Sequence, residues 1–184
     1  PEVEQVAELH DALVLGIKDY FRRVGSIEKA NFKCAYIGLS GGIDSAVVAA
    51  LAVEALGPDK VIGVTLPSRY NSAETKGDAE VLARNLGIRF KSLPIESQLE
   101  ACAQAFGADP DLAAAPEGVA EQNVQARLRM LDLMYYANKT QGVVLNTGNK
   151  TELALDNCTI YGDMVGGFSV LGDVDKDRVY EDRK

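Results

Sequence analysis

The sequence is poor in the side chains that build metal clusters and histidine-dependent active sites. It has one histidine, His10, and three cysteines, Cys34, Cys102 and Cys158, with no CxxC pair. Structural zinc sites need closely spaced cysteine and histidine ligands, so this class is excluded. A single histidine in the first helix also argues against a Ser/His/Asp or Cys/His nucleophile. The odd number of widely separated cysteines indicates reduced thiols, and we therefore expect a cytoplasmic protein.

The chain also lacks long apolar runs and an excess of basic residues. No apolar run approaches the roughly 20 residues that cross a bilayer, and no charged-then-apolar leader is visible, so neither membrane insertion nor secretion is expected. The 27 acidic and 19 basic residues give a net charge of 19 − 27 = −8, which argues against binding long nucleic acids through their phosphates. With 47% hydrophobic and 25% charged residues, the 184 residues suit one globular domain.

Short apolar runs alternate with segments of helical periodicity along the chain. Strands are predicted at 33–39, 60–66, 88–93 and 142–146, and helices at 6–24, 43–56, 72–86, 96–106 and 119–139, with a short helix from 150. Continuous apolar strands separated by helices are typical of a parallel sheet with helices on both faces. The predicted class is therefore α/β and Rossmann-like, with no internal repeat, and ligands are expected at the carboxyl ends of the strands.

The sequence also predicts the local structure of three segments. Residues 107–118, with two prolines, are expected to form an exposed loop. The long helix is expected to bury one stripe formed by Val124, Leu128, Leu131 and Tyr135. Residues 161–184 have several glycines and little apolar periodicity, so this end is expected to be mobile.

The strongest motif is SGGIDS, at residues 40–45, between the first strand and the following helix. Its two glycines permit a tight turn, and the helix amino end together with the serine hydroxyls would favour a phosphate or pyrophosphate. Asp44 is unusual in a pure anion site, and a carboxylate beside phosphates indicates a bridging magnesium ion. The alternative is an ordinary strand-to-helix turn with a serine cap, but the six residues in this setting favour phosphate binding.

SGGIDS resembles the pyrophosphate loop of the N-type ATP pyrophosphatases. Four further segments narrow the resemblance: LPSRY at 66–70, EQNVQARLR at 121–129, TGNKTELA at 147–154 and YGD at 161–163. Together they closely resemble NAD synthetase, and more the glutamine-dependent type than the stand-alone ammonia type. The resemblance implies an adenine nucleotide alpha hydrolase-like fold, ATP with Mg²⁺, deamido-NAD and ammonia as substrates, a glutaminase domain outside these residues, and a dimer in which the first helix is a candidate contact.

The resemblance also implies roles for particular residues. The ATP phosphates and metal would be held by Ser40, Gly41, Gly42, Ile43, Asp44 and Ser45, and the adenylate portion by Arg69 and Thr147. Deamido-NAD would be bound by Asn123, Arg127, Glu152, Asp163 and Lys176. Asp44 and Glu152 would be the catalytic pair and the magnesium ligands. Asn123 and Arg127 share one helix face by their spacing, whereas the Arg127/Arg129 pair by itself indicates only a solvated face.

Two other functions stay open from the residues alone. One is another ATP pyrophosphatase, such as a GMP synthetase or a tRNA-thiolating enzyme, although the acidic balance disfavours tRNA. The other is a nucleotide-binding module without turnover, against which the presence of both Asp44 and Glu152 argues. The synthetase domain of the family continues beyond YGD. Residues 1–184 are therefore expected to be a single NAD synthetase-like domain lacking its C-terminal part, which binds Mg–ATP but forms NAD slowly or not at all.

Overall fold

The computed structural model describes residues 2–25, 31–70, 73–113, 118–155 and 157–182. Within those ranges the strands are β1 (Cys34–Gly38), β2 (Val61–Thr65), β3 (Arg89–Ser92), β4 (Gly142–Asn146) and β5 (Phe168–Ser169). The helices are α1 (Glu2–Gly25), α2 (Ile43–Leu56), α3 (Ala73–Asn85), α4 (Glu96–Gly107), α5 (Pro110–Ala113), α6 (Val119–Thr140), α7 (Lys150–Ala154) and α8 (Lys176–Asp182). None of the described helices is long and apolar enough to cross a bilayer.

The five strands form one sheet in the order β3-β2-β1-β4-β5, and every pair is parallel. The central strand β1 therefore pairs with β2 on one side and with β4 on the other. In this order the carboxyl ends of β1, β2 and β4 lie side by side at one edge. The segments that follow these three strands carry the predicted phosphate-binding residues together with Arg69, Thr147 and Glu152, and the topology places these segments at one edge.

Helices cover both faces of the sheet, as predicted. Along β1, Ala35 and Ile37 point into a cluster with α1, α2, α3 and α8, while Cys34 and Tyr36 point into a second cluster with α4 and α6. This alternation follows from the two-residue period of a strand, and both sets are apolar because both faces are buried. The apolar stripe of α1, which was the candidate dimer contact, packs against this core within the chain, with Ile17 fully buried.

The predicted helix and strand ends are confirmed to within one or two residues, except that α1 begins at Glu2, four residues before its predicted start. Exceptions remain at three other places. The first residue of the predicted helix 72–86 lies outside the described residues. Residues 107–118 are not simply a loop, because a short helix, α5, forms at Pro110–Ala113. The stripe predicted for the long helix is wrong at two of its positions: Leu131 and Tyr135 are 60% and 58% exposed, and Met130, Leu133 and Ala137 face the sheet instead. Leu128 packs against the second cluster as predicted.

The expectation of a mobile glycine-rich end is contradicted for residues 168–182 by their packing, whereas residues 183 and 184 lie outside the described part of the chain. After a turn at 161–164 the chain adds β5 to the edge of the sheet and then forms α8. Val170, Leu171, Val174 and Val179 are buried in the cluster with α1 and α2. The glycines serve close approach to β4, because a Cβ atom on Gly167 would lie 2.4 Å from Val143 Cγ2. Such side-chain contacts between distant segments leave no periodic signal in the sequence.

Candidate active site

The SGGIDS segment forms the turn between β1 and α2. Gly41 has a φ of 81°, a backbone conformation that favours glycine. The Ser45 hydroxyl donates to the Gly42 carbonyl over 2.9 Å, and the Gly42 N–H donates to Ser40 Oγ over 3.2 Å. Ile43 opens the 14-residue helix α2, and its side chain packs against the core. The two serines thus fix the turn at the amino end of a helix, where an anion is favoured.

Asp44 lies in the first turn of α2 and contacts two residues from the other end of the chain. Its Oδ1 accepts a hydrogen bond from Asn149 Nδ2 over 3.1 Å. Its Oδ2 forms an ion pair with Lys176 Nζ, and the side chain of Asp44 is only 16% exposed. Lys176, predicted to bind substrate, is therefore placed at the phosphate loop by α8.

Glu152 is connected to Asp44 through Asn149, which sequence reasoning missed as a site residue. Asn149 precedes α7, and its Oδ1 accepts from the Glu152 N–H over 3.0 Å, while Glu152 Oε2 accepts from the Asn149 N–H over 3.2 Å. The side chain of Asn149 is fully buried. The Asn-x-x-Glu spacing of this capping box was visible in the sequence, but the bond from Asn149 to Asp44 was not.

Two cavities open at this edge of the sheet and share part of their walls. The smaller, of about 220 Å³, is lined by residues that include Ser40, Asp44, Ser45, Thr147 and Glu152. The larger, of about 260 Å³, lies between the ends of β1, β2 and β4 and the helix α6. Residues lining both are Ser40, Asn146, Thr147 and Asp163. A ligand with a flat apolar group and a chain of phosphates would fit across the shared wall.

Arg129 lines the larger cavity, so the interpretation of its helix face as merely solvated is wrong. Its Nε donates to the Leu66 carbonyl over 3.0 Å, and its Nη2 contacts Gln125 Oε1 at 3.3 Å and Ser68 Oγ at 3.5 Å. Ser68 in turn donates to Gln125 Oε1 over 3.0 Å. Burial lowers the pKa of Arg129 below its ordinary value, but a guanidinium stays charged. This network fixes the backbone that follows β2.

Three predicted ligands contact protein groups instead of the cavities. Arg69, predicted to touch the adenylate, forms ion pairs with Glu96 and Glu100, and the hydrogen bond that its guanidinium donates to Glu96 raises the pKa of Arg69. Asn123 Oδ1 accepts from Thr159 Oγ1 over 2.8 Å. Arg127 Nε donates to the Ile160 carbonyl over 3.2 Å. Asn123 and Arg127 do share a helix face, and that face holds the turn leading to Asp163.

The donor set of the smaller cavity fits a magnesium ion that is also bound by phosphates. Mg²⁺ prefers oxygen ligands and is usually held by one or two carboxylates together with substrate phosphates. Asp44 and Glu152 both line that cavity. Among the described residues no group of three or more His, Cys, Asp or Glu side chains converges as a metal site. Phosphate oxygens would therefore have to complete the coordination.

Comparison with known proteins identifies the family. A family model described as NAD synthase matches residues 13–183. The chain belongs to the NAD synthase family. The glutamine-dependent NAD(+) synthetase of Synechocystis sp. is 47% identical over 174 residues, which cover 95% of this chain and 30% of that protein. The chain thus spans about a third or less of the length of the curated relatives that it matches.

Solved structures of two synthetases superpose closely on the chain. The glutamine-dependent NAD+ synthetase from Acinetobacter baumannii in complex with ADP has 41% identity and a TM-score of 0.88, over 96% of this chain and 32% of that chain. The NMN synthetase from Francisella tularensis has 30% identity and a TM-score of 0.83, over 96% of this chain and 68% of that chain. The predicted fold and family are therefore confirmed.

Proposed function

We propose that this chain is the synthetase part of a ligase that converts deamido-NAD to NAD with ATP and ammonia. The observation that carries the proposal is the pair of joined cavities at the carboxyl ends of β1, β2 and β4, one of them lined by both Asp44 and Glu152. Membership of the NAD synthase family and the ADP held by the Acinetobacter baumannii relative support it. In this assignment residues 1–184 are one domain, with further parts of the protein outside them.

The chemistry has two steps. A nicotinate carboxylate oxygen attacks the α-phosphorus of ATP. The new O–P bond replaces the bond to the β-phosphate, and pyrophosphate leaves into the SGGIDS loop. The ammonia nitrogen then attacks the carbonyl carbon of the acyl-adenylate, the bond to AMP breaks, and the surplus proton passes to solvent. Activation is needed because oxide is a poor leaving group, whereas AMP is a good one.

The residues of the chain would act mainly by positioning the substrates and by stabilising charge, and less by forming bonds with them. Ser40 and Ser45 would face the phosphates, and Thr147 would lie between the nucleotide and the reacting carboxylate. Asp44 and Glu152, held relative to each other by Asn149, would bind Mg²⁺. When bound, that ion would neutralise phosphate oxygens and so favour departure of pyrophosphate.

The ammonia source and the assembly are also proposals. The Synechocystis relative is named glutamine-dependent, and this chain covers only 30% of it. We therefore place a glutaminase domain in the parts of the protein outside these residues, and a homo-oligomer in the complete protein. The cytoplasmic location is likewise a proposal, which rests on the odd number of widely separated cysteines.

A substrate comparison tests the proposal. The chain is incubated with Mg–ATP, ammonium and one of three acceptors: deamido-NAD, nicotinate mononucleotide or xanthylate, and AMP and the amide product are measured. AMP and NAD should form with deamido-NAD, slowly, and less with the others. A preference for the mononucleotide would favour the activity named for the Francisella tularensis relative, and a preference for xanthylate a GMP synthetase. ATP binding without AMP from any acceptor would refute turnover by these 184 residues, as expected for a nucleotide-binding module or for a synthetase domain that needs further parts of the protein.

A further inference from the structure

Asn146 is a buried polar side chain at the end of an otherwise apolar strand. It is the last residue of β4, it is 5% exposed, and it lines both cavities. Its Nδ2 donates to the carbonyls of Asp163, at 2.5 Å, and Val165, at 3.2 Å. Its Oδ1 accepts from the Gly148 N–H at 2.8 Å and from Ser169 Oγ at 3.4 Å. Its amide thus makes four contacts with three separate segments.

The chemistry of these partners fixes the orientation of the amide. Two backbone carbonyls can only accept, and a backbone N–H can only donate. A flipped amide would set its oxygen against the two carbonyl oxygens and its NH₂ group against the N–H of Gly148. Two glycines approach Asn146 closely, because a Cβ atom on Gly148 would lie 3.0 Å from Asn146 Oδ1 and one on Gly166 would lie 2.9 Å from Asn146 Cβ. Aspartate has the same shape but no donor.

The segment that Asn146 holds carries Asp163, which lines both cavities. A second contact holds the Asp163 carboxylate, because its Oδ1 accepts a hydrogen bond from the Thr159 N–H over 2.6 Å. The Thr159 hydroxyl in turn donates a hydrogen bond to Asn123 of α6. The oxygen side of Asn146 faces Gly148, between Thr147 and Asn149 of the phosphate-facing loop. The amide therefore ties the loop of the smaller cavity to the turn that positions Asp163.

We propose that Asn146 is a positioning residue that sets Asp163 for the second, carboxylate-bearing substrate while leaving the nucleotide loop in place. The inference rests on the proposed function for the identity of that substrate. The two ends of the Asn146 amide then have different roles that mutation can test separately. The oxygen holds the nucleotide loop, and the NH₂ group holds the turn at 163–165. Asn146→Asp should remove only the hydrogen bonds of the NH₂ group. Aspartate keeps an oxygen that accepts from the Gly148 N–H, but its second oxygen would repel the carbonyl oxygens of Asp163 and Val165.

Binding titrations on the 184-residue chain test this assignment. Asn146→Asp should weaken deamido-NAD about tenfold or more, because two hydrogen bonds are replaced by repulsion, and should change ATP affinity less than about threefold. In an Asp163→Ala background, adding Asn146→Asp should change the affinity for deamido-NAD only a little. The effects of the two substitutions should not add, because Asn146 acts through Asp163. Ser169→Ala removes only the longest of the four contacts and serves as the matched control, with both affinities near wild type.

A ligand-free measurement separates positioning from general loss of stability. In Asn146→Asp, hydrogen exchange of the amides of Thr159 and Val165 should be faster, while in the core variant Leu171→Ala it should rise only with global unfolding. Equal weakening of both ligands, additive effects with Asp163→Ala, or unchanged exchange at Thr159 and Val165 would overturn the inference. Failure of the wild-type chain to bind deamido-NAD would instead refute the proposed substrate, and the exchange result would still decide whether Asn146 positions the turn.

Discussion

Lys176 and Asp44 neutralise each other at the phosphate loop, although one was predicted to bind substrate and the other to bind metal. Their side chains are 32% and 16% exposed. Lys176→Met should leave a half-buried carboxylate without its cation and lower the free energy of unfolding by roughly 1–3 kcal/mol, between the values for surface and buried pairs. The same carboxylate should then bind a divalent cation more tightly in the absence of nucleotide, as measured by Mn²⁺ titration with electron paramagnetic resonance.

Lys150 offers the matched control for this charge change. It forms an exposed ion pair with Asp173, at 3.0 Å, and that hydrogen bond raises its pKa. Lys150→Met removes the same charge from the neighbouring helix α7 without touching Asp44, so stability and Mn²⁺ affinity should both change little. If the two variants gave equal changes, the ion pair between Lys176 and Asp44 would have no specific part in cation binding.

Arg129 and Arg127 lie two residues apart on α6 and should serve different ligands. Arg129→Lys loses the forked contacts with Leu66, Ser68 and Gln125 that fix the wall of the larger cavity. ATP affinity should fall about tenfold, on the order of one charge-assisted hydrogen bond. Arg127→Lys should weaken deamido-NAD more than ATP. Calorimetric titration of both variants with both ligands checks this, and an identical pattern for the two would refute the division.

Site residues could be predicted from the sequence where they belong to a continuous motif, such as SGGIDS or TGNKTELA. Ser40, Asp44, Ser45, Thr147 and Glu152 were predicted as one site, and the structure brings them to one cavity. The residues that sequence reasoning missed act through contacts across the fold. Arg129 looked like a surface residue because its partner carbonyl belongs to the segment after β2, and Asn146 looked like the end of a strand because its partners lie about twenty residues further along. No local pattern encodes such pairs.

At the scale of elements, the amino end of α6 is held by Glu121, whose carboxylate accepts from the Gly118 N–H over 2.6 Å. That bond lowers the pKa of Glu121 below its ordinary value of 4.5. A lowered pKa in the folded state means that the bond stabilises the fold above the ordinary value and that this contribution is lost as the pH falls through the folded value. Glu121→Gln should therefore be less stable than wild type near neutral pH, and the difference should shrink in acid.

Urea unfolding at about pH 7 and about pH 3.5 measures this difference. Glu80→Gln is the control, because it removes one carboxylate from the exposed pair with Arg84 on α3 and leaves α6 untouched. A stability difference for Glu121→Gln that did not change with pH would show that the negative charge of Glu121 does not contribute to the helix cap.

Elements were predictable where one face is apolar over several turns or a whole strand. The positions of β1, β2 and β4 followed from continuous apolar runs, which central parallel strands require. The edge strand β3 is RFKS and mostly exposed, and its position followed from the apolar residues Ile88 and Leu93 that flank it. The two-residue strand β5 is too short for any period, and the burial of α8 rests on Val179 inserting beside α1 and α2. The predicted buried stripe of α6 was partly wrong because this helix carries apolar residues on more than one side. Only packing decides which of these sides meets the sheet.

For the molecule as a whole, residues 168–182 should unfold together with the rest. Leu171 is 1% exposed in the cluster that includes α1 and α2. Leu171→Ala should cost about 2–5 kcal/mol, and circular dichroism and tyrosine fluorescence should show one shared, shifted transition. Leu155→Ala, at a position that is 73% exposed, is the control and should change stability by less than about 0.5 kcal/mol. An early separate transition in Leu171→Ala would restore the view of a loosely attached end.

The place of β1 at the centre of the sheet has a consequence for the order in which the molecule is made. Its partner β2 follows within about thirty residues, but its other partner β4 comes more than one hundred residues later, since Cys34 pairs with Gly142. During synthesis or refolding β1 therefore presents a bare edge, which is a template for strands of other chains, until β4 arrives. Closing so long a loop is slow. Because β1 and β4 lie side by side along the larger cavity, the ability to bind nucleotide should be the last property that a newly made chain acquires.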